Sequence, residues 1–213
     1  MGFRIRGRGV ELEAILREPE ARPLLGAAVL CHPHPVYGGT MDNRVVYRAG
    51  KAVMEAGLAA LRFNFRGGGA STGSYDHGDG EKDDVSAAID YLSGKYPGLP
   101  LVLVGFSFGA WVGLQAGCQD PRIQAMVGLG VPVSFYDFEF LTGNFKPTLF
   151  VIGTRDEYSP RDKMDGLARR MSSSFTLRWV EGASHFFVPG LDQLQSYVTE
   201  FLSHIEFFRS GDA

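Results

Sequence analysis

A serine, an aspartate and a histidine occur in this chain in an order and setting suited to acyl transfer. Ser107 lies in Gly105-Phe106-Ser107-Phe108-Gly109, between the apolar run 100–104 and a run rich in Ala, Leu, Val and Trp over 108–119. G-x-S-x-G between a strand and a helix is a turn sharp enough to lift a serine hydroxyl out of the backbone's cover, and it needs neighbours without side chains. The helix that follows aims its unpaired N–H groups at the place where negative charge would develop. A serine hydroxyl is a poor nucleophile until a base takes its proton. Histidine is suited to that task because it accepts and returns a proton near neutrality. Of the five histidines, His204 falls in the last helical pattern, His77 in a Gly/Asp/Ser loop, and His32 and His34 ahead of Ser107. His185 follows the last strand pattern, in Glu181-Gly182-Ala183-Ser184-His185, and is the expected base.

The third member of such a set is a carboxylate that holds the imidazole in one tautomer. Asp156 is favoured because it directly follows the apolar run 148–153 and gives the order Ser, Asp, His. Glu157 competes with it, and Asp137 and Glu139 are weaker alternatives. Acyl transfer also needs backbone donors for the oxyanion. One is expected at Phe108, the residue after the serine. The other is expected in His32-Pro33-His34-Pro35-Val36-Tyr37-Gly38-Gly39. Proline has no N–H, so His34 is the expected donor, with Val36 or Tyr37 behind it. The spacing His32-x-His34 also suits metal ligands. However, no third His or Cys ligand follows nearby and Asp42 would be a lone carboxylate, so no metal and no cofactor are expected.

The elements that must carry these residues alternate. The first segment, 3–16, reads as an antiparallel hairpin with Gly7 and Gly9 at its turn. Strands are expected at 26–31, 59–65, 100–104, 123–130, 148–153 and 175–181, and helices at 43–55, 80–96, 108–119 and 191–208. Another helix is expected to be opened by Pro160 and capped by Ser159. Repeated strand–helix units predict an α/β fold with a mostly parallel central sheet and helices on both faces, with functional residues in loops beyond the strands' carboxyl ends.

The 213 residues suit a single domain, 1–213. A formal net charge of −3 offers no electrostatic reason for a nucleic-acid partner, and Arg4, Arg6 and Arg8 alternate along the first strand as a solvated face. No apolar run is long enough to span a bilayer and no signal pattern opens the chain. Cys31 and Cys118 lie in apolar segments, which points to reduced thiols and a cytoplasmic location. Phe207 and Phe208 either form a homodimer contact or finish the core of the last helix.

With these strings assembled, the chain resembles a small α/β-hydrolase, and more narrowly the lid-less serine hydrolases related to dienelactone hydrolase. The resemblance rests on His32-Pro33-His34-Pro35 with 38–43, Phe63-Asn64-Phe65-Arg66-Gly67 with Gly69, Ser71 and Gly73, the serine motif, Gly153 with Asp156, and Gly182 with His185. It implies Ser107 as nucleophile, His185 as general acid and base, and Asp156 as orienting carboxylate. Dienelactone hydrolases proper use cysteine, so their lactone chemistry does not carry over. Arg66 and Asp42 match family strings and are read as ties between loops. The interval 131–146 is too short for a cap domain, and its aromatic residues either line an acyl pocket or fill the core. The pocket candidates are Tyr37, Phe106, Phe135, Tyr136 and Phe186. The expected activity is cleavage of esters or thioesters of small to medium acyl groups. Peptide or amide cleavage by the same residues is a second reading. A non-catalytic binding module is a third, against which the intact constellation argues.

Overall fold

The computed structural model describes residues 2–20, 24–171 and 174–205. Eight strands form one sheet: β1 (Phe3–Arg6), β2 (Glu11–Arg17), β3 (Gly26–Cys31), β4 (Leu58–Phe63), β5 (Leu101–Phe106), β6 (Ile123–Leu129), β7 (Thr148–Gly153) and β8 (Phe175–Val180). Their spatial order is β1-β2-β4-β3-β5-β6-β7-β8. The first hairpin pairs antiparallel and joins β4 antiparallel; from β4 to β8 every pairing is parallel. Arg4, Arg6 and Arg8 are exposed along it.

The helices are α1 (Arg44–Glu55), α2 (Asp79–Lys95), α3 (Phe108–Gln119), α4 (Arg161–Ala168) and α5 (Leu191–His204). Because side chains alternate along a strand, each central strand feeds two cores. Leu101 and Leu103 of β5 pack with Val85, Ile89 and Val112 of α2 and α3. Val102, Val104 and Phe106 pack with Val45, Val53, Val198 and Leu202 of α1 and α5. Cys31 and Cys118 are both free thiols.

Three local expectations are corrected. β5 runs on to Phe106, so the strand delivers its chain directly to Ser107. Ser159 does not cap α4; Pro160 holds the cap position, and the Ser159 hydroxyl is spent elsewhere. The last helix stops at His204, where Ile205 turns to an extended conformation and tucks into the core. Phe207 and Phe208 lie outside the described residues.

Two features place the site. β3 lies between β4 and β5, so the chain leaves β3 toward one side and β5 serves the other. The loops after β3 and β5 therefore face each other at a crevice. Between β6 and β7 the chain makes only a 3₁₀ turn at Glu139–Leu141, and no cap domain covers this end of the sheet.

Candidate active site

Ser107 joins β5 to α3 with φ 56° and ψ −121°, a left-handed conformation that side chains avoid. Its N–H donates to Leu129 O at 3.0 Å, and its carbonyl accepts from Ala110 at 2.9 Å, so the turn is held from both sides. The flanking glycines are sterically required. A Cβ on Gly105 would lie 2.4 Å from Gly109 O, and one on Gly109 would lie 2.4 Å from both Cys31 O and His32 O. The second contact also shows how closely the start of α3 abuts the end of β3.

The tertiary fold brings together three side chains that are distant in sequence. His185 Nε2 lies 2.9 Å from Ser107 Oγ, and His185 Nδ1 lies 2.9 Å from Asp156 Oδ2. A carboxylate only accepts, so the imidazole proton sits on Nδ1, and the Nε2 lone pair faces the serine hydroxyl. His185 and Asp156 are both 5% exposed, while Ser107 is partly open. Asp156 Oδ1 accepts from Tyr158 N–H at 2.9 Å, and the Ser159 hydroxyl lies 3.1 Å from Asp156 Oδ2 and 2.7 Å from Val131 O. The rival carboxylates point elsewhere. Glu157 is exposed, Asp137 accepts from Glu139 N–H, and Glu139 pairs with Arg170.

The loop after β3 separates the candidate oxyanion donors. Val36 N–H is taken by His34 Nδ1 at 3.3 Å, and Tyr37 N–H by His34 O at 3.2 Å. The N–H groups of His34 and Phe108 are paired with no acceptor among the described residues. The His34 and Phe108 rings pack 4.7 Å apart. Burial, then the field of His77, lowers the His34 pKa, so its ring stays neutral and keeps accepting from Val36. His32 is fully buried. Its Nε2 accepts from Phe65 N–H at 2.9 Å while Nδ1 donates to Pro33 O at 2.6 Å. Both ring nitrogens of His32 are thus committed to backbone, and burial pushes its pKa down to about 4.

The profile of an alpha/beta hydrolase domain matches residues 27–202, which span β3 to β8 and all five helices but not the N-terminal hairpin. The chain belongs to the α/β hydrolase family. This α/β hydrolase is 35% identical over 188 residues to an uncharacterised protein of Rickettsia prowazekii, covering 84% of this chain and 79% of that one. It superposes on an alpha-beta serine hydrolase homologue from Coxiella burnetii with a TM-score of 0.89 and 34% identity, over 94% of this chain and 96% of the other. A serine hydrolase without a lid from Xanthomonas campestris superposes with a TM-score of 0.85 and 32% identity, over 95% and 93%.

The aromatic candidates of this hydrolase divide. Phe106 is only 1% exposed; it underlies the His185 ring at 5.1 Å and is core, which corrects its place among the pocket residues. Tyr37, Phe135 and Phe186 are 86%, 67% and 54% exposed. Phe186 stands edge-on to His185, and Phe135 reaches the same ring through Tyr158. Tyr136 is half-buried and stacks on Trp111 at 4.3 Å. Arg66 and Asp42 each fasten a loop to a regular element, α2 for Arg66 and β4 for Asp42. Arg66 forks onto buried Asp84, and Asp42 meets Arg62 at 3.2 Å.

Sequence reading missed Ser159, Tyr158 and Gly130. The Asp-x-x-Ser spacing was the available signal for Ser159, but proline beside it favours a cap reading. Gly130 closes the floor, since a Cβ there would sit 3.1 Å from both the His185 and Phe106 rings.

Proposed function

We propose that this hydrolase cleaves carboxylic esters or thioesters of small to medium acyl groups through an acyl-enzyme on Ser107. The observation that carries this reading is the unbroken hydrogen-bond chain Ser107–His185–Asp156, with 2.9 Å at each link, ending on a serine held in strained geometry at a helix N-terminus. His185 Nε2 takes the Ser107 proton as Oγ attacks the acyl carbon. The carbonyl oxygen becomes an oxyanion facing the N–H groups of Phe108 and His34, each such donor contributing ~10²–10³ in rate. The imidazolium, stabilised by Asp156, returns its proton to the leaving oxygen or sulfur as that bond breaks. Water then enters by the same base and releases the acid. No step calls for a cofactor.

The short 3₁₀ connection after β6 leaves the serine uncovered, which suits small and medium acyl groups more than long chains that need sequestering. The free thiols Cys31 and Cys118 fit a cytoplasmic protein, and no described helix is long and apolar enough to cross a membrane.

A fluorophosphonate probe tests the reading. Stoichiometric labelling at Ser107 by mass spectrometry, with hydrolysis of p-nitrophenyl acetate, is expected for the wild type. Ser107→Ala should lose both, kcat falling by up to ~10⁶. An unlabelled but folded wild-type protein would refute the mechanism.

A further inference from the structure

Three tyrosines from three separate segments gather against the side-chain rings of His34 and Phe108, the two residues whose backbone N–H groups are the proposed oxyanion donors. The rings of Tyr37 and Tyr75 lie 4.6 and 4.8 Å from the His34 ring. Those of Tyr75 and Tyr136 lie 5.9 and 6.2 Å from the Phe108 ring. Tyr136 and Tyr75 are supported from behind, while Tyr37 is exposed and rests on the His34 ring. Tyr136 stacks on Trp111 with an interplanar angle of 14°. The loop bearing Tyr75 is anchored by Arg66 on Asp84 and by Glu81, which accepts from the N–H groups of Asp76 and Gly78. Among the described residues none of these three hydroxyls makes a hydrogen bond, and none is a buried orphan. They are open to a ligand.

Their electrostatics favour a neutral partner. Burial, then Glu81 and Tyr37, push the Tyr75 phenol up; burial, then Tyr75 and Tyr37, push up that of Tyr136. These phenols therefore stay protonated and lie within reach of one another's field. Glu81 adds negative potential, Arg66 is committed to Asp84 and His34 is held neutral, so of the groups beside the three rings only the His77 imidazole, 4.9 Å from the Tyr75 ring, is left to meet a carboxylate. A phenol hydroxyl both donates and accepts, and its ring offers a face for a flat group.

Chemistry orients a substrate across the site. The leaving oxygen must reach His185 Nε2, whose ring is flanked by Tyr158 and Phe186. The alcohol part then lies on that side, and the acyl part extends past the oxyanion donors toward the tyrosines. We propose that Tyr37, Tyr75 and Tyr136 form an acyl subsite for a neutral, hydroxylated aromatic acid, a specificity that rests on the ester-hydrolase reading above.

The test compares kcat/KM for methyl 4-hydroxybenzoate, methyl benzoate and monomethyl terephthalate, in wild type and in the Tyr37→Phe, Tyr75→Phe, Tyr136→Phe triple variant. Wild type should prefer the hydroxylated ester over the plain one by about tenfold, with the carboxylated ester slowest. The ratio should fall toward one in the triple variant. Tyr37→Phe, at an exposed ring, should lower the ratio by itself and keeps the test open if the triple variant misfolds. A ratio near one in wild type, a ratio that survives the substitutions, or preference for the carboxylated ester overturns the subsite. If Ser107 is labelled yet none of the esters turns over, the subsite also falls while the serine chemistry stands. If Ser107 is not labelled at all, the ester-hydrolase reading fails first and takes the subsite with it.

Discussion

Asp156→Asn is the sharpest probe of the candidate site, because the surrounding donors dictate how the new amide must lie. Asp156 Oδ1 accepts from Tyr158 N–H at 2.9 Å, so the amide oxygen is required there. The amide NH₂ then occupies the Oδ2 position, facing His185 Nδ1 and the Ser159 hydroxyl. Ser159 can accept it while its own proton goes to Val131 O at 2.7 Å, so this orientation is fully satisfied. His185 must in turn present its Nδ1 lone pair, which moves the ring proton to Nε2 and leaves nothing to accept from Ser107. Recovering the productive tautomer means flipping the amide and setting two donors against each other, at ~1–3 kcal/mol, or ~10–10² in rate. Losing the charged hydrogen bond to the imidazolium costs another ~1.5–3 kcal/mol. The product is ~10²–10⁴ in kcat, its upper end being the ~10⁴ known for such a change in a Ser-His-Asp site. The assay is kcat on p-nitrophenyl acetate, with ¹⁵N NMR of the His185 ring to read the tautomer and circular dichroism to check the fold. Glu157→Gln, at an exposed neighbour, should stay within about twofold of wild type. A folded Asp156→Asn protein within tenfold of wild type would refute the reasoning, as would Glu157→Gln being the damaging change.

Three further outcomes follow from the same contacts. Ser159→Ala should lower kcat about three- to tenfold, the value of one modest hydrogen bond to Asp156, while urea melts should show a loss of no more than ~1 kcal/mol, because Val131 O keeps the Val133 N–H at 2.9 Å. Gly109→Ala would drive a Cβ to 2.4 Å from Cys31 O and His32 O; because these are backbone atoms that cannot swing away, stability should drop by ~1–3 kcal/mol and labelling of Ser107 should fall. His32 is held neutral by burial, with its pKa lowered from 6.5 to about 4, so below pH 6.5 the unfolded chain binds a proton that the native state refuses. Its stabilising contribution is complete above pH 6.5 and is lost as pH falls to about 4, up to ~3 kcal/mol, and His32→Gln should flatten that part of the urea-stability profile against pH.

Much of the fold is legible in the chain because its signals are local. Alternating apolar runs and helical periodicity mark β3 through α5, and glycines flank the serine because the turn at Ser107 tolerates nothing larger. Where reading by pattern erred, a tertiary contact outweighed a local preference. Ser159 beside Pro160 has the local chemistry of a cap, but the hydroxyl is captured by Asp156 and Val131 across the site. Phe106 looks like a pocket residue beside the nucleophile, but strand alternation turns it inward, under the His185 ring.

The residue types, their order and the strand–helix alternation were determined by the sequence alone, because each depends on neighbours a few positions away. Which carboxylate meets His185 was decided only in three dimensions. Asp156 and Glu157 are adjacent, and the tight turn after β7, closed by Asp156 N–H on Gly153 O, points one inward and leaves the other in solvent. The same holds for His34, whose N–H has no acceptor among the described residues while its ring and carbonyl take the N–H groups of its rivals Val36 and Tyr37. It holds again for Tyr37, Tyr75 and Tyr136, which are brought to one face by packing between segments that no local pattern connects.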